Sequence, residues 1–462
     1  MLYKFSPLHS FVDVQSLGWE VLKEGQYTIP LPRLSPDEQE LIIEVENYFR
    51  EITRIREFSS PEETKDELLS TLSRVCHEKG YEIDEEQETY LVNVAYLHIY
   101  GLGFFEHLLA DNNIEEIALI GLGKPVYVYV KGKGWLKTNA LISSETYLME
   151  LVNKMASLLG RRITLQNPRL DTTLPDGSRL HASLPPISNG EITIRRFNAT
   201  PLSMKSIVSF GTMRNNLVAI MSLLMQGDFS VLVAGNTASG KTTVLNSLFS
   251  FVPYNERILI TEETPEINVL QEHSVRLVAN PDMDIKLLDL VYDSLRMRPD
   301  RIVVGEIRNK EEARALLDVL LAGQARGAYA TFHGKSAEEA LSRLMSFGIS
   351  EMDVNSIDAI LVQRRMMLYD RQKRRVEERR RATSLNLVIE SKPVPIFTYN
   401  VNKDSWKITN MPLVYDVIGA RLGLSNKEVK EEIAKRTALM EKAPSDFKDF
   451  YKFMQRSLYG LA

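Results

Sequence analysis

The chain has a single cysteine, Cys76, in 462 residues. No intrachain disulfide can form, which suits a reducing compartment, and Cys76 itself is expected to be a core thiol. No run approaches the ~18–20 uncharged apolar residues that a spanning helix needs. Any membrane association is therefore expected to go through a partner. An excess of positive charge is missing too: 56 Lys and Arg face 61 Asp and Glu, a net charge of −5. That argues against nucleic acid as a bulk electrostatic partner and leaves only a local basic patch open. Met1 to Pro7 has no apolar core after Lys4, so it is not expected to be a secretory signal. Internal repeats and low-complexity segments are lacking. What remains is the composition of a soluble globular protein, 44% hydrophobic and 25% charged. Its length suits roughly two or three domains.

Residues 1–95 are rich in charge and helix formers. Helical patterns open at Pro36-Asp37-Glu38 and at Ser60-Pro61-Glu62-Glu63, and Asp84-Glu85-Glu86-Gln87-Glu88 reads as a third helix start. Residues 96–200 read as an α+β domain. Val126–Val130 is strand-like, Gly132-Lys133-Gly134 is a turn, Ser144–Leu159 is an amphipathic helix, and Glu191–Phe197 is another strand. A linker is expected over 201–212, around Pro201. From 213 to 462 strands and helices alternate, as in a nucleotide-binding α/β sheet, and short strands and a helical tail follow. In that tail Ser425-x-x-Glu428 forms a capping box, and Val429, Ile433 and Ala434 are expected on one face.

Within this alternation, residues 235–242 read Gly235-Asn236-Thr237-Ala238-Ser239-Gly240-Lys241-Thr242, a full G-x-x-x-x-G-K-S/T phosphate loop followed by Thr243. The apolar run Phe229–Ala234 precedes it as a buried strand. Val244, Leu245, Leu248 and Phe249 follow it as one face of a helix. Glycines let backbone N–H groups curl around a phosphate. Lys241 can reach the β/γ-phosphates, and the Thr242 hydroxyl can ligate Mg²⁺. ATP or GTP binding follows.

Hydrolysis needs carboxylates as well. Arg301–Glu306 is an apolar strand ending in Gly305-Glu306, and Ile258–Glu266 is a second strand running into Glu262, Glu263 and Glu266. In an open parallel sheet the strand end at Glu306 faces the ligand, whereas Ile258–Glu266 by itself reads as a solvated acidic turn before Pro265. Tyr329–Gly334 carries one histidine, His333, into a glycine. Alone it is weak, since a lone histidine is more often a core residue.

In this order the four elements resemble the type II and type IV secretion ATPases, which power secretion, type IV pilus assembly and the archaellum. The boxes of that family are matched by Gly235–Thr242, Thr261–Glu266, Arg301–Arg308 and Thr331–Gly334. Leu295–Arg308 and Leu174–Ala182 carry the most specific likeness. Thr264-Pro265-Glu266 and Leu422–Glu428 favour the archaeal branch. The tetracysteine module of many bacterial members is absent.

The resemblance implies a RecA-like motor forming a hexameric ring, with Mg²⁺ and ATP between the two domains. Lys241 and Thr242 would hold phosphate and metal, and Glu262 would help activate water. Glu306 would position metal and water, with Glu263 on the metal side. His333 would sense the γ-phosphate, and Arg179, Arg195 and Arg196 would close on the triphosphate. It further implies a cytoplasmic ring docked on a polytopic membrane platform, acting on pilin-like or secreted substrates, with no nucleic acid expected.

Three positions depart from the family pattern. Glu263 stands where Asp is usual, Arg326 replaces a frequent histidine, and Asn236-Thr237-Ala238 replaces a Pro- or Gly-containing stretch. The basic run Lys373-Arg374-Arg375 and Glu378–Arg381 reads as a solvated β-hairpin, and a DNA-dependent motor is the alternative it keeps open.

Overall fold

A computed structural model describes residues 25–29, 34–53, 55–56, 58, 60–157, 160–174, 176–196, 201–280, 283–323, 325–371 and 374–460. The chain divides into two compact units, residues 1–199 and 200–462.

In the first unit, three helices start and stop where caps were legible. Ser60 caps Pro61–Lys79 by accepting from the Glu63 N–H, and Gly80 ends that helix in the left-handed region at φ 72°. Asp84 caps Glu85–Ile99 in the same way. With Pro36–Thr53 they bury Leu41, Val45, Phe49, Leu68, Leu72, Leu91 and Cys76 in a small core. The helical region is not self-contained, however. Gln26–Tyr27 pairs in parallel with Gly134–Leu141 and forms the edge of a seven-stranded sheet. That sheet otherwise runs in the order Gly134–Leu141, Pro125–Val130, Ile114–Leu119, Glu191–Arg195, Arg179–Ser183 and Arg169–Thr173. The helix Glu145–Ser157 adds Leu148, Leu151, Val152 and Met155 to the core that includes the sheet's Val126, Val128, Ile192 and Ile194.

The second unit is built on nine strands. Their order is Ser274–Val278, Ile258–Glu262, Arg301–Ile307, Gly327–His333, Val231–Gly235, Ala359–Asp370, Arg375–Ile389, Lys392–Asn400 and Ser405–Ile408. The first six are parallel and the rest antiparallel. Alternate residues of the loop-bearing strand enter separate cores: Val231 and Val233 one, Leu232 and Ala234 the other. Burial on both faces is why these strands read as continuous apolar runs. The strand ending in the phosphate loop and the strand ending in Glu306 are separated by the one ending in His333. This is the order of a RecA-like P-loop domain.

Two expectations are corrected. The segment 201–212 is not a bare linker. Ser203 caps the helix Met204–Ser209, and Met204 and Ile207 sink into the second unit's core. Ser203 Oγ also donates to the Ser445 carbonyl at 2.7 Å. Met204 and Ile207, three apart, share the helical face that is buried. In the tail, three helices follow the strands: Met411–Leu422, Asn426–Lys442 and Phe447–Tyr459. The Ser425–Glu428 capping box is present and Val429 is buried, but Ala434 is exposed. Arg436 is buried instead, donating to Ser222 Oγ at 3.1 Å.

Candidate functional site

The loop-bearing strand stops at Gly235, where a side chain cannot fit. A Cβ there would run into the Gln363 carbonyl and lie 2.6 Å from Ser239 Oγ. The chain then turns through Ala238 at φ 58° and Gly240 at φ 93°, and the helix Lys241–Leu248 begins at once. Gly240 carries the more extreme angle at no steric cost, whereas Ala238 is strained. Asn236 fastens the entry side. Its amide donates to the Arg365 carbonyl at 3.0 Å and its oxygen accepts the Arg365 N–H at 2.9 Å. These two bonds continue the ladder one residue past the end of the strand. Thr237 and Thr243 lie on the same loop and helix start, without a recorded contact of their own in the site.

Lys241 is buried, and its ammonium lies 3.7 Å from Glu306 Oε1 and 3.4 Å from the Asn236 carbonyl. Burial pulls its pKa below the usual lysine range, and Glu306 opposes that pull. A buried cation beside one carboxylate suits a site that receives further negative charge.

Glu306 is aimed by a local irregularity. Pairing with the His333 strand shifts register between Val304 and Glu306, so Gly305 forms a bulge. Gly305 packs on Glu262, and a Cβ added there would lie 3.3 Å from Glu262 Cγ. Past the bulge, Glu306 Oε1 meets His333 Nε2 at 2.8 Å and Oε2 accepts from Arg308 Nε at 2.9 Å. Burial alone would raise the Glu306 pKa. Arg308, Lys241 and His333 together hold it below the usual carboxylate range. Burial and then Lys241 push His333 below its ordinary value, so it is neutral at pH 7. His333 pairs with Gly235 in the ladder, which places it at the mouth of the loop.

Glu262 is 2% exposed. Its Oε1 accepts the N–H groups of Glu266 and Ile267 at 2.8 and 2.9 Å, while Oε2 lies 3.4 Å from Arg276 Nε without a hydrogen bond. Burial pushes its pKa up to about 7, against the lowering effect of those two N–H groups. A carboxyl poised near neutral pH is suited to taking a proton from water.

The remaining carboxylates divide differently from the sequence expectation. Glu263 is ion-paired with Arg308. The contact to the Thr242 hydroxyl, which donates at 2.9 Å, is made by Glu266. Sequence reasoning had noted Glu266 only as the end of the acidic box. The strand end at Glu262 and the turn through Pro265 bring it back over the helix start, a reversal that spacing alone does not reveal. Thr242, Glu266 and Glu306 supply hard oxygen donors, which suit Mg²⁺. Among the described residues no three or more His, Cys, Asp or Glu side chains form a protein-only metal cage.

Arg326 lies away from this site. Its N–H donates to the Asp300 carbonyl at 2.8 Å and its side chain reaches Glu256 at 3.3 Å, at the entry of the strand that ends in His333. Glu256 also takes the fully buried Arg301, which donates to Tyr329 Oη at 2.9 Å. Arg301 thus anchors the base of the sheet, some 20 Å of strand from its reactive ends.

The three arginines of the first unit are placed within that unit. Arg179 and Arg195 sit directly opposite each other on adjacent strands. Arg195 lies 3.6 Å from Glu116. Arg196 donates to the carbonyls of Leu108 and Leu109.

The family model for type II/IV secretion system protein matches residues 123–394, more than half of the chain. An uncharacterized protein of Methanocaldococcus jannaschii is 37% identical over 246 residues, covering 50% of this chain and 34% of the relative. The VirB11 protein of Agrobacterium fabrum is 30% identical over 270 residues, covering 52% of this chain and 77% of that protein. The chain thus spans about a third of the first relative's length. Among solved structures, the Legionella pneumophila ATPase DotB aligns with 20% identity and a TM-score of 0.47, covering 72% of this chain and 86% of that one.

Proposed function

We propose that this chain, which belongs to the type II/IV secretion system protein family, is a Mg²⁺-dependent ATPase that turns hydrolysis into motion. The observation that carries the reading is the convergence on one phosphate loop of Lys241, Thr242, Glu266, Glu306 and His333, with the near-neutral Glu262 anchoring the turn that delivers Glu266. Mg²⁺, when bound, would neutralise charge on the β- and γ-phosphates. Lys241 exchanges Glu306 for phosphate oxygens. Thr242, with Glu266 behind it, would hold the metal side, and Glu306 would orient the attacking water. Glu262 takes the proton of the attacking water. His333, neutral and hydrogen-bonded to Glu306, reads the γ-phosphate. Arg179, Arg195 and Arg196 are proposed, on the resemblance alone, as the arginines that meet the triphosphate; within the first unit Arg195 lies 3.6 Å from Glu116 and Arg196 braces its strand end.

The machine we infer is a homo-oligomeric, hexameric ring in an archaeal cytoplasm. It docks on a polytopic membrane protein and drives pilin-like subunits or secreted substrates. Among the described residues no helix is long and apolar enough to cross a membrane. Part of the basic run is paired within the hairpin, which favours the secretion reading over the DNA-motor alternative. Arg365 and Arg380 both pair with Glu378, and Arg379 and Arg381 both pair with Asp404. Arg381 is buried rather than solvated, and Lys373 lies outside the described residues. ATP hydrolysis measured against solution mass, with and without DNA, tests the reading. Turnover that rises with a six-fold mass and ignores DNA supports it, and a monomer active only with DNA refutes it.

A further inference from the structure

Two buried polar atoms at the phosphate loop have no hydrogen-bond partner: Ser239 Oγ and Gln363 Oε1. Each residue is 1% exposed, so water cannot serve either atom. Gln363 is not on the loop. It lies on the strand Ala359–Asp370, in register with Gly235, at a bulge that follows Val362 in the pairing with Arg375–Ile389. Its side chain runs under the turn. A Cβ on Gly240 would lie 3.9 Å from Gln363 Nε2, and one on Gly235 would lie 2.6 Å from Ser239 Oγ. The two orphaned groups therefore bracket the same pair of glycines.

They are also chemically complementary. The hydroxyl needs an acceptor and the carboxamide oxygen needs a donor. Leaving both buried and unpaired carries a desolvation cost that one bond between them would remove. The loop has freedom to make it on one side only. Asn236 is fixed by its two bonds to the Arg365 backbone, so any adjustment falls on Thr237 to Gly240, the stretch that holds Ala238 in the left-handed region.

We propose that Gln363 is a positioning residue for the phosphate loop. When a phosphate draws the turn closed, Gln363 Oε1 accepts a hydrogen bond from the Ser239 hydroxyl and holds the closed form. Gln363 touches no phosphate. It acts through the loop and ties loop closure to the strand that leads into the Ala359–Ile389 hairpin. The inference rests on the nucleotide-binding reading above.

The test uses the purified full chain, with Mg·ADP affinity by calorimetry and thermal melting without nucleotide. Gln363→Met keeps the side-chain length and removes the polar atoms, and Ser239→Ala removes the hydroxyl. One hydrogen bond of ordinary strength predicts about 5–10-fold weaker Mg·ADP binding for each variant. The double variant should be no weaker than either single one, because both remove the same bond. Without nucleotide, Gln363→Met should melt no lower than wild type, since it deletes a group that has no partner there. Wild-type affinity in Gln363→Met, additive losses in the double variant, or a lowered nucleotide-free melting point would each overturn the proposal. Failure of the wild-type chain to bind Mg·ADP would overturn the nucleotide reading and this one with it.

Discussion

Replacing Glu262 by Gln should stabilise the nucleotide-free protein at pH 8 while removing its turnover. The side chain is buried, and its pKa is pushed from 4.5 to about 7. Between those values the folded chain holds a proton that the unfolded chain has lost. Stability is therefore fully present below pH 4.5 and falls as pH rises through 7. At about 1.36 kcal/mol per unit, the ionised carboxylate costs the fold up to about 3 kcal/mol at pH 8. Glutamine mimics the neutral form. Its oxygen can keep both N–H bonds from Glu266 and Ile267. The attraction of Arg276 at 3.4 Å is already contained in that shift. The gain is therefore about 3 kcal/mol, or a Tm rise of about 6–12 °C for a unit of this size. Melting curves of both proteins at pH 5 and pH 8 read it directly. The gain should be small at pH 5 and large at pH 8. Equal pH slopes for the two proteins, or a Glu262→Gln chain that melts lower at pH 8, would refute the reasoning.

Wild-type turnover should rise with pH through about 7, because below that value the proposed base still carries its proton; a flat rate from pH 6 to 8 removes Glu262 from proton transfer. Glu306→Gln should bind ATP and hydrolyse it about 100-fold more slowly, the usual scale for losing one preorganised polar group, as a single-turnover assay would show. Glu266→Gln should weaken Mg·ADP binding and leave metal-free ADP binding unchanged, whereas Glu263→Gln should change neither; the reverse result would return the metal side to Glu263. Arg301→Leu leaves the buried Glu256 only the exposed Arg326 at 3.3 Å and should cost about 3–5 kcal/mol in denaturant unfolding. Arg326→Ala, at the far end of its strand from His333, should leave turnover within about twofold; a large loss would contradict the placement of Arg326 away from the nucleotide.

The phosphate loop, its flanking strand and helix, and the strands ending in Glu262, Glu306 and His333 were legible because each is a local pattern. Their convergence was not local. It follows from a sheet order that puts the His333 strand between the loop-bearing strand and the Glu306 strand, and from a bulge at Gly305 that no alternation of apolar residues announces. Glu266 shows the limit most clearly. In sequence it trails the acidic box, and only the turn after Glu262 brings it to the Thr242 hydroxyl. Glu262 itself supplies the anchor for that turn, accepting the N–H groups of residues 266 and 267. One carboxylate thus fixes the backbone that delivers the other, at the cost of its own burial. The same burial brings the Glu262 pKa near neutrality. The near-neutral ionisation and the local architecture are therefore set by one side chain in this fold. A substitution that relaxes the turn around Pro265 should shift the Glu262 ionisation and the Thr242 contact together.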